Sequence, residues 1–159
     1  MPLNHSSPAA LLEKAIALAL HAHAGQVDDD GSPYILHPLR VMLGLPQSAT
    51  PEQRMAAVLH DTLEHTALNE QDLHAAGIPA AVIDAVRTLT RPEHESRLEA
   101  TRRAAAHPIA RAVKRCDIRD NMDLSRIPHP SPADHARMQE YRQALALLES
   151  MHHDHSASG

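Results

Sequence analysis

Apolar residues recur along the chain at the three- and four-residue spacing of amphipathic α-helices, and no strand-length stretch alternates β-branched with polar residues. In the first such segment, Leu12, Ile16 and Leu20 form one stripe. A Ser-Pro pair precedes this segment and a glycine follows it, which is the order of residues favoured at the two ends of a helix. The pattern therefore predicts an all-α domain.

Capping residues, prolines and glycines divide the chain into about eight predicted helices. These cover residues 9–24, 38–43, 51–65, 70–76, 79–91, 95–106, 108–122 and 133–151. The chain has no internal repeat, so residues 1–151 are predicted to form a single domain. The His-rich tail, residues 152–159, is predicted to be disordered.

The composition determines what can fill the core. Hydrophobic residues make up 43% of the 159-residue chain, but it contains no Phe or Trp and only two Tyr. The core must therefore consist of Leu, Ala, Val, Ile and Met side chains, which pack well between helices.

The sequence predicts a location in the cytoplasm. Cys116 is the only cysteine, so the chain cannot form an intramolecular disulfide. The N-terminus lacks the basic stretch and apolar run of a signal peptide. The most apolar stretch, residues 11–20, contains Glu13 and Lys14 and is too short to span a bilayer. No membrane association is therefore expected.

The charge distribution argues against nucleic acid as a partner. The net charge is −5 with histidine neutral, which disfavours general binding to nucleic acid or anionic membranes. Nine of the fifteen Lys and Arg residues nevertheless lie between residues 87 and 119. This basic segment can be a set of solvated helix faces or a positive rim for a phosphate-bearing substrate. The sequence does not determine the oligomeric state.

The stretch from Ala56 to His65 combines an apolar helical pattern with four ionisable side chains. At 3.6 residues per turn, His60 lies above Glu64 and Asp61 lies above His65. The other positions are mostly apolar, so this helix is predicted to be buried. Burying ionisable groups is unfavourable unless they are compensated, and a divalent metal binds neutral imidazole and ionised carboxylate together. Taken alone, the His-Asp pair fits a polar pair in the core equally well.

Two other stretches supply further side chains that can bind a metal. A turn over residues 31–38 presents His37 just before a helix. The amphipathic segment 113–122 carries Asp117 and Asn121 one helical turn apart. A His, a His-Asp pair and a distant Asp therefore follow one another along the chain, in an order that resembles the HD superfamily of metal-dependent phosphohydrolases.

The resemblance extends to one branch of that superfamily. The Ala-His-Ala-Gly-Gln motif at residues 22–26, followed by the stretches 31–38, 57–64 and 113–122, resembles the RelA/SpoT-type alarmone hydrolase domain. The likeness covers about residues 8–127, and the chain has the length of the small stand-alone members. It implies a compact HD-domain bundle of about eight helices and a phosphorylated nucleotide as the substrate.

The resemblance implies a metal centre. The implied ligands are His37, His60, Asp61 and Asp117. By the same resemblance the metal is Mn²⁺, and mixed nitrogen and oxygen ligation without thiolate also suits Fe²⁺ or Co²⁺ better than a structural zinc. Such a metal lowers the pKa of a bound water and draws charge from a phosphoryl oxygen.

The resemblance also implies roles for other polar residues of these motifs. Glu64 orients or deprotonates the attacking water, unless it only holds a ligand imidazole. The family usually has aspartate at the next position, where this chain has His65, which either acts as an acid for the leaving group or has lost that role. Asn121 contacts the substrate or supports Asp117. The implied substrate contacts are Tyr34, Arg91, Lys114 and Asn121.

The substrate loop departs from the family pattern. Where alarmone hydrolases carry Arg-Lys after the Gly-Gln pair, this chain has Asp28 and Asp29, followed by Asp30. The usual Arg-Thr after Asn-Met is replaced by Asp123-Leu124. Each like-charge pair with a guanosine tetraphosphate costs about 1 kcal/mol near water and up to about 4 kcal/mol when partly desolvated. The alternative is that the loop swings away and arginines of the basic segment bind the phosphates.

Three functions are consistent with these residues. The predicted one is metal-dependent hydrolysis of a phosphate or pyrophosphate ester of a nucleotide with an altered substrate preference, and removal of a cofactor phosphate such as that of NADPH belongs to this class. The first alternative is removal of the 3′-pyrophosphate from ppGpp. The second is a non-catalytic HD module that binds a metal and a nucleotide as a sensor.

Overall fold

The computed structural model describes residues 7–156, and side chains for residues 7–151. Nine α-helices and one 3₁₀ turn make up this part of the chain. In order they are α1 Pro8–Ala22, α2 Leu36–Leu43, α3 Pro51–Leu59, α4 Thr62–His65, α5 Glu70–Ala75, α6 Ala80–Leu89, α7 Arg97–Ala105, α8 Pro108–Asn121, the 3₁₀ turn Leu124–Arg126 and α9 Pro132–Ser156. Within residues 7–156 there is no β-strand, only an isolated bridge between Val27 and Pro33. The predicted all-α fold is confirmed.

Short polar side chains begin several helices where the sequence predicts them. The Ser7 hydroxyl accepts a hydrogen bond from the Ala10 N–H at the start of α1. Capping boxes, in which two side chains accept from backbone N–H groups of the first turn, begin α3 at Thr50, α5 at Asn69 and α7 at Ser96. These contacts satisfy N–H groups that have no partner within the helix.

Helix α3 lies at the centre of the domain. Its residues from Met55 to Leu59 are all buried, and it packs against α1, α2, α6 and α8. A helix that is apolar on every side is stable only when other helices surround it. The surrounding core consists of Leu, Ile, Val, Met and Ala side chains, as the composition predicts. Packing on every side thereby fixes the segment that leads to His60 and Asp61.

Helix α8 joins two groups of helices. It packs against α2, α3 and α6 on one side and against α7 and α9 on the other. Ile118 of α8 is buried in a small apolar cluster with Ala144 and Leu148 of α9. The preceding residue, Asp117, is thereby directed towards α2 and the end of α3.

The helix predicted over residues 51–65 is divided into α3 and α4. The backbone N–H and the ring Nδ1 of His60 both donate to the Ala57 carbonyl oxygen, at 3.4 and 2.6 Å. The Thr62 hydroxyl donates to the Leu59 carbonyl oxygen at 2.8 Å. These contacts replace the regular helical hydrogen bonds. The prediction of a continuous helix was wrong here, because apolar spacing carries no information on competition between side chains and the backbone.

The last helix continues beyond its predicted end at Met151, to Ser156. Residues 157–159, and the side chains of residues 152–156, lie outside the described part of the chain. Residues 152–156 are therefore helical where disorder was predicted, whereas the predicted disorder of residues 157–159 stays a prediction, and so does the assignment of residues 1–151 as one domain. None of the described helices combines the length and the apolar character needed to cross a membrane.

Candidate metal centre and active site

The structure brings the four predicted metal ligands to one point from α2, from the break after α3 and from α8. His37 Nε2 lies 3.1 Å from Asp117 Oδ1 and 3.6 Å from Asp61 Oδ2. His60 Nε2 lies 3.1 Å from Asp61 Oδ2 and 3.4 Å from Asp117 Oδ1. Adjacent residues of a regular helix diverge by about 100°. The break between α3 and α4 accommodates the convergence of His60 and Asp61.

Hydrogen bonds on the far side of each imidazole determine which nitrogen faces this point. His60 Nδ1 donates to the Ala57 carbonyl oxygen at 2.6 Å, because that oxygen can only accept. His37 Nδ1 donates in the same way to Asp120 Oδ2, at 2.6 Å. Each Nε2 therefore faces the carboxylates of Asp61 and Asp117. Two buried lone pairs opposite two carboxylates repel one another unless a cation or protons lie between them.

This set of side chains fits a divalent cation. Ligand atoms about 2.1 Å from one ion are separated from each other by about 3.0–3.5 Å. Three of the four imidazole–carboxylate separations, 3.1, 3.1 and 3.4 Å, fall in that range, and the fourth, between His37 and Asp61, is 3.6 Å. His60 Nε2 is buried and makes no aligned hydrogen bond with any described residue. His37 and His60 are only 4% and 2% exposed, so bulk solvent has little access to these imidazoles.

In the metal-free chain the carboxylates are ionised and the imidazoles protonated. Burial raises the pKa of Asp117, but His60, Lys114 and His37 together outweigh burial and hold that pKa well below its usual range. Burial lowers the pKa of His37, but hydrogen bonds to Asp117 and Asp120 outweigh it and raise the pKa to about 9. The carboxylates likewise raise the pKa of His60 well above its usual value, against the effect of burial. Protons thus compensate the buried charges, and a metal displaces them.

Asp120 holds His37 in place, a role that the sequence prediction missed. Arg40 donates to both oxygens of the Asp120 carboxylate, at 2.8 and 3.1 Å. Burial raises the pKa of Asp120, but the hydrogen bonds from His37 and Arg40 outweigh it and lower the pKa to about 2. Asp120 lies three residues after Asp117 in α8, on the same helix face. That spacing places Asp120 near a predicted ligand, but it does not identify His37 as the partner of Asp120.

Two residues predicted to contact the substrate also contact predicted ligands. The Tyr34 hydroxyl donates to Asp61 Oδ2 at 2.5 Å. Burial and the Asp61 carboxylate raise the pKa of Tyr34, so the hydroxyl keeps its proton and remains a donor. Asn121 Nδ2 donates to Asp117 Oδ1 at 3.0 Å. Of the two roles predicted for Asn121, support of Asp117 is therefore present in the structure.

A cavity of about 190 Å³ borders the four converging side chains. Its other lining residues are Tyr34, Glu64, His65, Leu89, Arg91, Arg97, Ala100, Lys114 and Asn121. The cavity thus unites every residue predicted for the site and adds Arg97, which the prediction missed. Glu64 and His65 are neighbours in its wall, with Glu64 Oε2 3.5 Å from His65 Nε2. A carboxylate oxygen of Asp61 lies within 4.8 Å of a carboxylate oxygen of Glu64 and of a ring nitrogen of His65.

The basic segment divides between the cavity and the surface. Arg91, Arg97 and Lys114 line the cavity. The guanidinium of Arg97 lies 4.5 Å from the centre of the Tyr141 ring, and this stacking holds it in place. In contrast, Arg87 forms surface ion pairs with carboxylates of α5 and α6. The prediction of a positive rim therefore fits Arg91, Arg97 and Lys114, whereas the prediction of solvated helix faces fits Arg87.

The acidic loop, residues 28–30, lines a second and smaller cavity of about 70 Å³. Arg126, Arg137 and Tyr141 line the same cavity. Asn121 lines both cavities, so the loop carboxylates lie next to the predicted site. A substrate that extends from the metal centre past Asn121 would meet these carboxylates.

Comparison with known protein families agrees with this geometry. A family model described as HD domain matches residues 15–120, a span that includes His37, His60, Asp61 and Asp117. The chain belongs to the HD domain family. The predicted resemblance to HD-superfamily phosphohydrolases is thereby confirmed, and with it the expectation of a divalent metal.

Individual relatives cover most of the chain. The human guanosine-3′,5′-bis(diphosphate) 3′-pyrophosphohydrolase MESH1 is 34% identical over 153 residues, which cover 90% of this chain and 84% of the relative. The mouse MESH1 is 35% identical over 152 residues, which cover 89% and 84%. The structure of a metazoan orthologue of SpoT that hydrolyses ppGpp matches with a TM-score of 0.73, over 90% of this chain and 87% of that one, at 22% identity. This structural likeness confirms the fold.

We expect Asp117→Ala to abolish stoichiometric binding of a divalent metal, because the variant leaves two imidazoles facing a single carboxylate. Metal per chain is measured by elemental analysis after dialysis. The tail histidines His152, His153 and His155 are replaced by Ala in every protein compared, so that the tail binds no metal. Asp123→Ala removes a carboxylate that is 49% exposed, and this control should keep its metal. Full occupancy in Asp117→Ala would exclude Asp117 from the ligand set.

The affinity for metal should rise with pH between pH 6 and pH 8. The raised pKa values of His37, about 9, and of His60 keep both imidazoles protonated in the metal-free chain over this range. Each proton that the metal displaces therefore increases the apparent affinity by about tenfold per pH unit until the pH passes the folded pKa. Titration with Mn²⁺ at several pH values measures the slope. An affinity independent of pH would contradict displacement of protons.

Proposed function

We propose that this chain is a metal-dependent phosphohydrolase that cleaves a phosphate or pyrophosphate ester of a nucleotide. The observation that carries the proposal is the convergence of two imidazoles and two carboxylates beside a cavity with a positively charged wall. The converging side chains suit a divalent cation, and the cations of the wall suit phosphate oxygens. The human and mouse relatives, named as hydrolases of guanosine-3′,5′-bis(diphosphate), support a nucleotide substrate.

We further propose that the metal is Mn²⁺. The proposed ligands are His37, His60, Asp61 and Asp117. When bound, the metal would activate water and withdraw charge from a phosphoryl oxygen. Nitrogen and oxygen ligands without thiolate suit Mn²⁺, Fe²⁺ or Co²⁺, and the resemblance to alarmone hydrolases favours Mn²⁺ among them. The cytoplasmic location predicted from the sequence fits such an enzyme and stays a prediction.

Glu64 is the proposed general base. Its side chain lines the cavity and is 27% exposed, so a water molecule in the cavity can reach the carboxylate. In this role Glu64 accepts the proton of the attacking water. His65 Nε2 lies 3.5 Å from Glu64 Oε2, which is close enough for His65 to receive that proton and pass it to the leaving oxygen. His65 would then take the place of the family's second acid.

The proposed phosphate contacts are the cations of the cavity wall. Arg91, Arg97 and Lys114 present charged donors to the same space. Lys114 Nζ lies 3.5 Å from Asp117 Oδ2, so it can meet a phosphoryl oxygen next to the metal centre. Tyr34 and Asn121 are proposed to hold Asp61 and Asp117 in position while also bordering the substrate.

The acidic loop is proposed to lower the preference for ppGpp. Its three carboxylates lie beside the cavity, where a second phosphate cluster of a guanosine tetraphosphate would approach them. Each close like-charge pair opposes binding by about 1 kcal/mol or more. A nucleotide with fewer phosphates, or with its base placed differently, avoids this repulsion.

Hydrolysis of ppGpp itself is the second candidate function. The human and mouse relatives favour it, because both are named as hydrolases of guanosine-3′,5′-bis(diphosphate) and both cover most of the chain. A panel of ppGpp, NADPH and nucleoside mono-, di- and triphosphates, assayed with Mn²⁺ for released phosphate or pyrophosphate, compares the two candidates directly. Binding without turnover of any of these would instead indicate the non-catalytic sensor.

Glu64→Gln should keep stoichiometric metal and lose on the order of 10²-fold or more in kcat, the scale of general acid–base catalysis. The amide keeps the size of the side chain but cannot accept the proton. Metal content and kcat are measured on the same preparation with the best substrate of the panel. Parallel loss of metal and activity would reassign Glu64 as a ligand.

His65→Asp is the companion variant, because it restores the residue usual in the family. It should retain activity, since a second carboxylate can take over the proton transfer. Collapse of activity in His65→Asp would mean that the imidazole has a function that an acid cannot replace.

Replacing Asp28 by Arg and Asp29 by Lys should improve the kcat/KM for ppGpp and make the reaction more sensitive to salt, because attraction then replaces repulsion. Assays at two ionic strengths measure both effects. Efficient ppGpp hydrolysis by the wild type, with kcat/KM of about 10⁴ M⁻¹s⁻¹ or more, would contradict the proposed role of the acidic loop.

A further inference from the structure

Gln26 lies behind the wall of the cavity and contacts three parts of the site. Its Nε2 donates to the carbonyl oxygen of His65, at the end of α4, at 2.8 Å. Its backbone oxygen accepts from the N–H of Tyr34 at 2.9 Å. Its Oε1 lies 2.8 Å from Nδ1 of His23, at the end of α1. One glutamine therefore connects α1, the donor to Asp61 and the turn that carries Glu64.

The turn α4 depends on contacts from outside. It comprises only Thr62–His65, and a helix this short is not stable through its own hydrogen bonds. The last carbonyl oxygens of any helix lack partners within it. Leu63, near the start of α4, is partly buried and packs against the core. Gln26 binds the carbonyl oxygen of His65 at the end of α4. The amide of Gln26 thereby fixes the end of α4 at which Glu64 and His65 lie.

The hydrogen bonds determine where the protons are. The His65 carbonyl oxygen can only accept, so the amide nitrogen of Gln26 faces it and the amide oxygen faces His23. The amide oxygen of Gln26 can also only accept, so His23 carries its proton on Nδ1. Burial lowers the pKa of His23 despite the hydrogen bond to Gln26, and the ring is neutral. Its Nε2 is then a buried acceptor to which no described residue donates.

A purely structural role does not account for this histidine. A charged histidine at the end of α1 would complement the helix dipole, but His23 is neutral and only 2% exposed. In the core, an apolar residue would avoid a buried acceptor without a donor. The His23 ring instead lies 5.0 Å from the ring of Tyr34, which donates to Asp61.

We propose that His23 and Gln26 form a positioning pair for the catalytic turn. His23 Nδ1 fixes the orientation of the Gln26 amide, and that amide fixes α4, and with it Glu64 and His65, relative to the metal ligands. Neither His23 nor Gln26 lines the cavity at the metal centre. The inference rests on the proposed function, because its kinetic consequence requires the hydrolytic reaction.

The first test is Gln26→Met, which keeps the length of the side chain and removes both of its hydrogen bonds. We expect kcat to fall by about 10- to 100-fold while KM changes less than about threefold, the pattern of a misplaced catalytic group. Metal content should stay at the wild-type level. The matched control is Gln53→Met, which removes the hydrogen bond from the Thr50 N–H to Gln53 Oε1 at the start of α3 and should leave kcat unchanged.

The second test concerns His23. His23→Leu should reproduce the loss of kcat, because the Gln26 amide is then free to turn. His23→Asn should recover most of that loss, since the asparagine nitrogen can occupy the place of Nδ1 and donate to Gln26 Oε1. Equal loss in His23→Leu and His23→Asn would overturn the orientation of Gln26 by Nδ1.

Hydrogen exchange separates failure of this inference from failure of the proposed function. The amides of His65 and Thr66 bond to the oxygens of Asp61 and Thr62 at 3.0 and 3.2 Å, so their protection reports the formation of α4. They should exchange at least about tenfold faster in Gln26→Met than in the wild type or Gln53→Met. Unchanged exchange, or an unchanged kcat, would overturn the positioning role. Faster exchange in a chain that hydrolyses no nucleotide would support the positioning of α4 and overturn only the proposed function.

Discussion

Two buried carboxylates opposite two buried imidazoles are the interaction on which the rest of this structure depends. Asp61 and Asp117 would each be unfavourable in an apolar core without compensation. Hydrogen bonds to the Ala57 oxygen and to Asp120 turn the imidazole Nε2 atoms of His60 and His37 towards these carboxylates. The group is stable only when a cation or protons occupy its centre, so the stability of the fold and the binding of metal are linked.

The break between α3 and α4 connects this requirement to the part of the cavity wall that carries Glu64 and His65. The Ala57 oxygen, which a continuous helix would use for its own hydrogen bonds, instead orients the His60 ring. The same break leaves α4 as a single turn with little support of its own. Gln26, at the other end of the turn, supplies that support. The orientation of the His60 ring is therefore achieved at the expense of local helix stability, and Gln26, from a loop distant in sequence, compensates for that loss of stability.

The features of the fold and of the site differ in how far the sequence could predict them. Ser7, Thr50 and Asn69 begin helices as predicted, because capping depends on neighbours a few residues away. The converging ligands were predictable because their order resembles a known family. The contacts of His37 with Asp120 and of Gln26 with His65 join residues 83 and 39 positions apart, and no local pattern encodes such pairs. The break after α3 also escaped prediction, because it depends on side-chain geometry rather than on apolar spacing.

The acidic loop carries charge beside the cavity without disturbing the predicted metal centre. Asp28 Oδ2 lies 4.0 Å from Arg40 Nη2, and the same guanidinium binds Asp120, which holds His37. The loop is therefore linked by charge to a predicted ligand. Both side chains of the Asp28–Arg40 pair are about 30% exposed, so the pair contributes no more than about 1 kcal/mol. The bidentate contact between Arg40 and Asp120 is shorter, at 2.8 and 3.1 Å, and Asp120 is less exposed than Asp28, so we expect this contact to persist without Asp28. Charge in the loop can therefore vary with the substrate while the orientation of His37 is preserved.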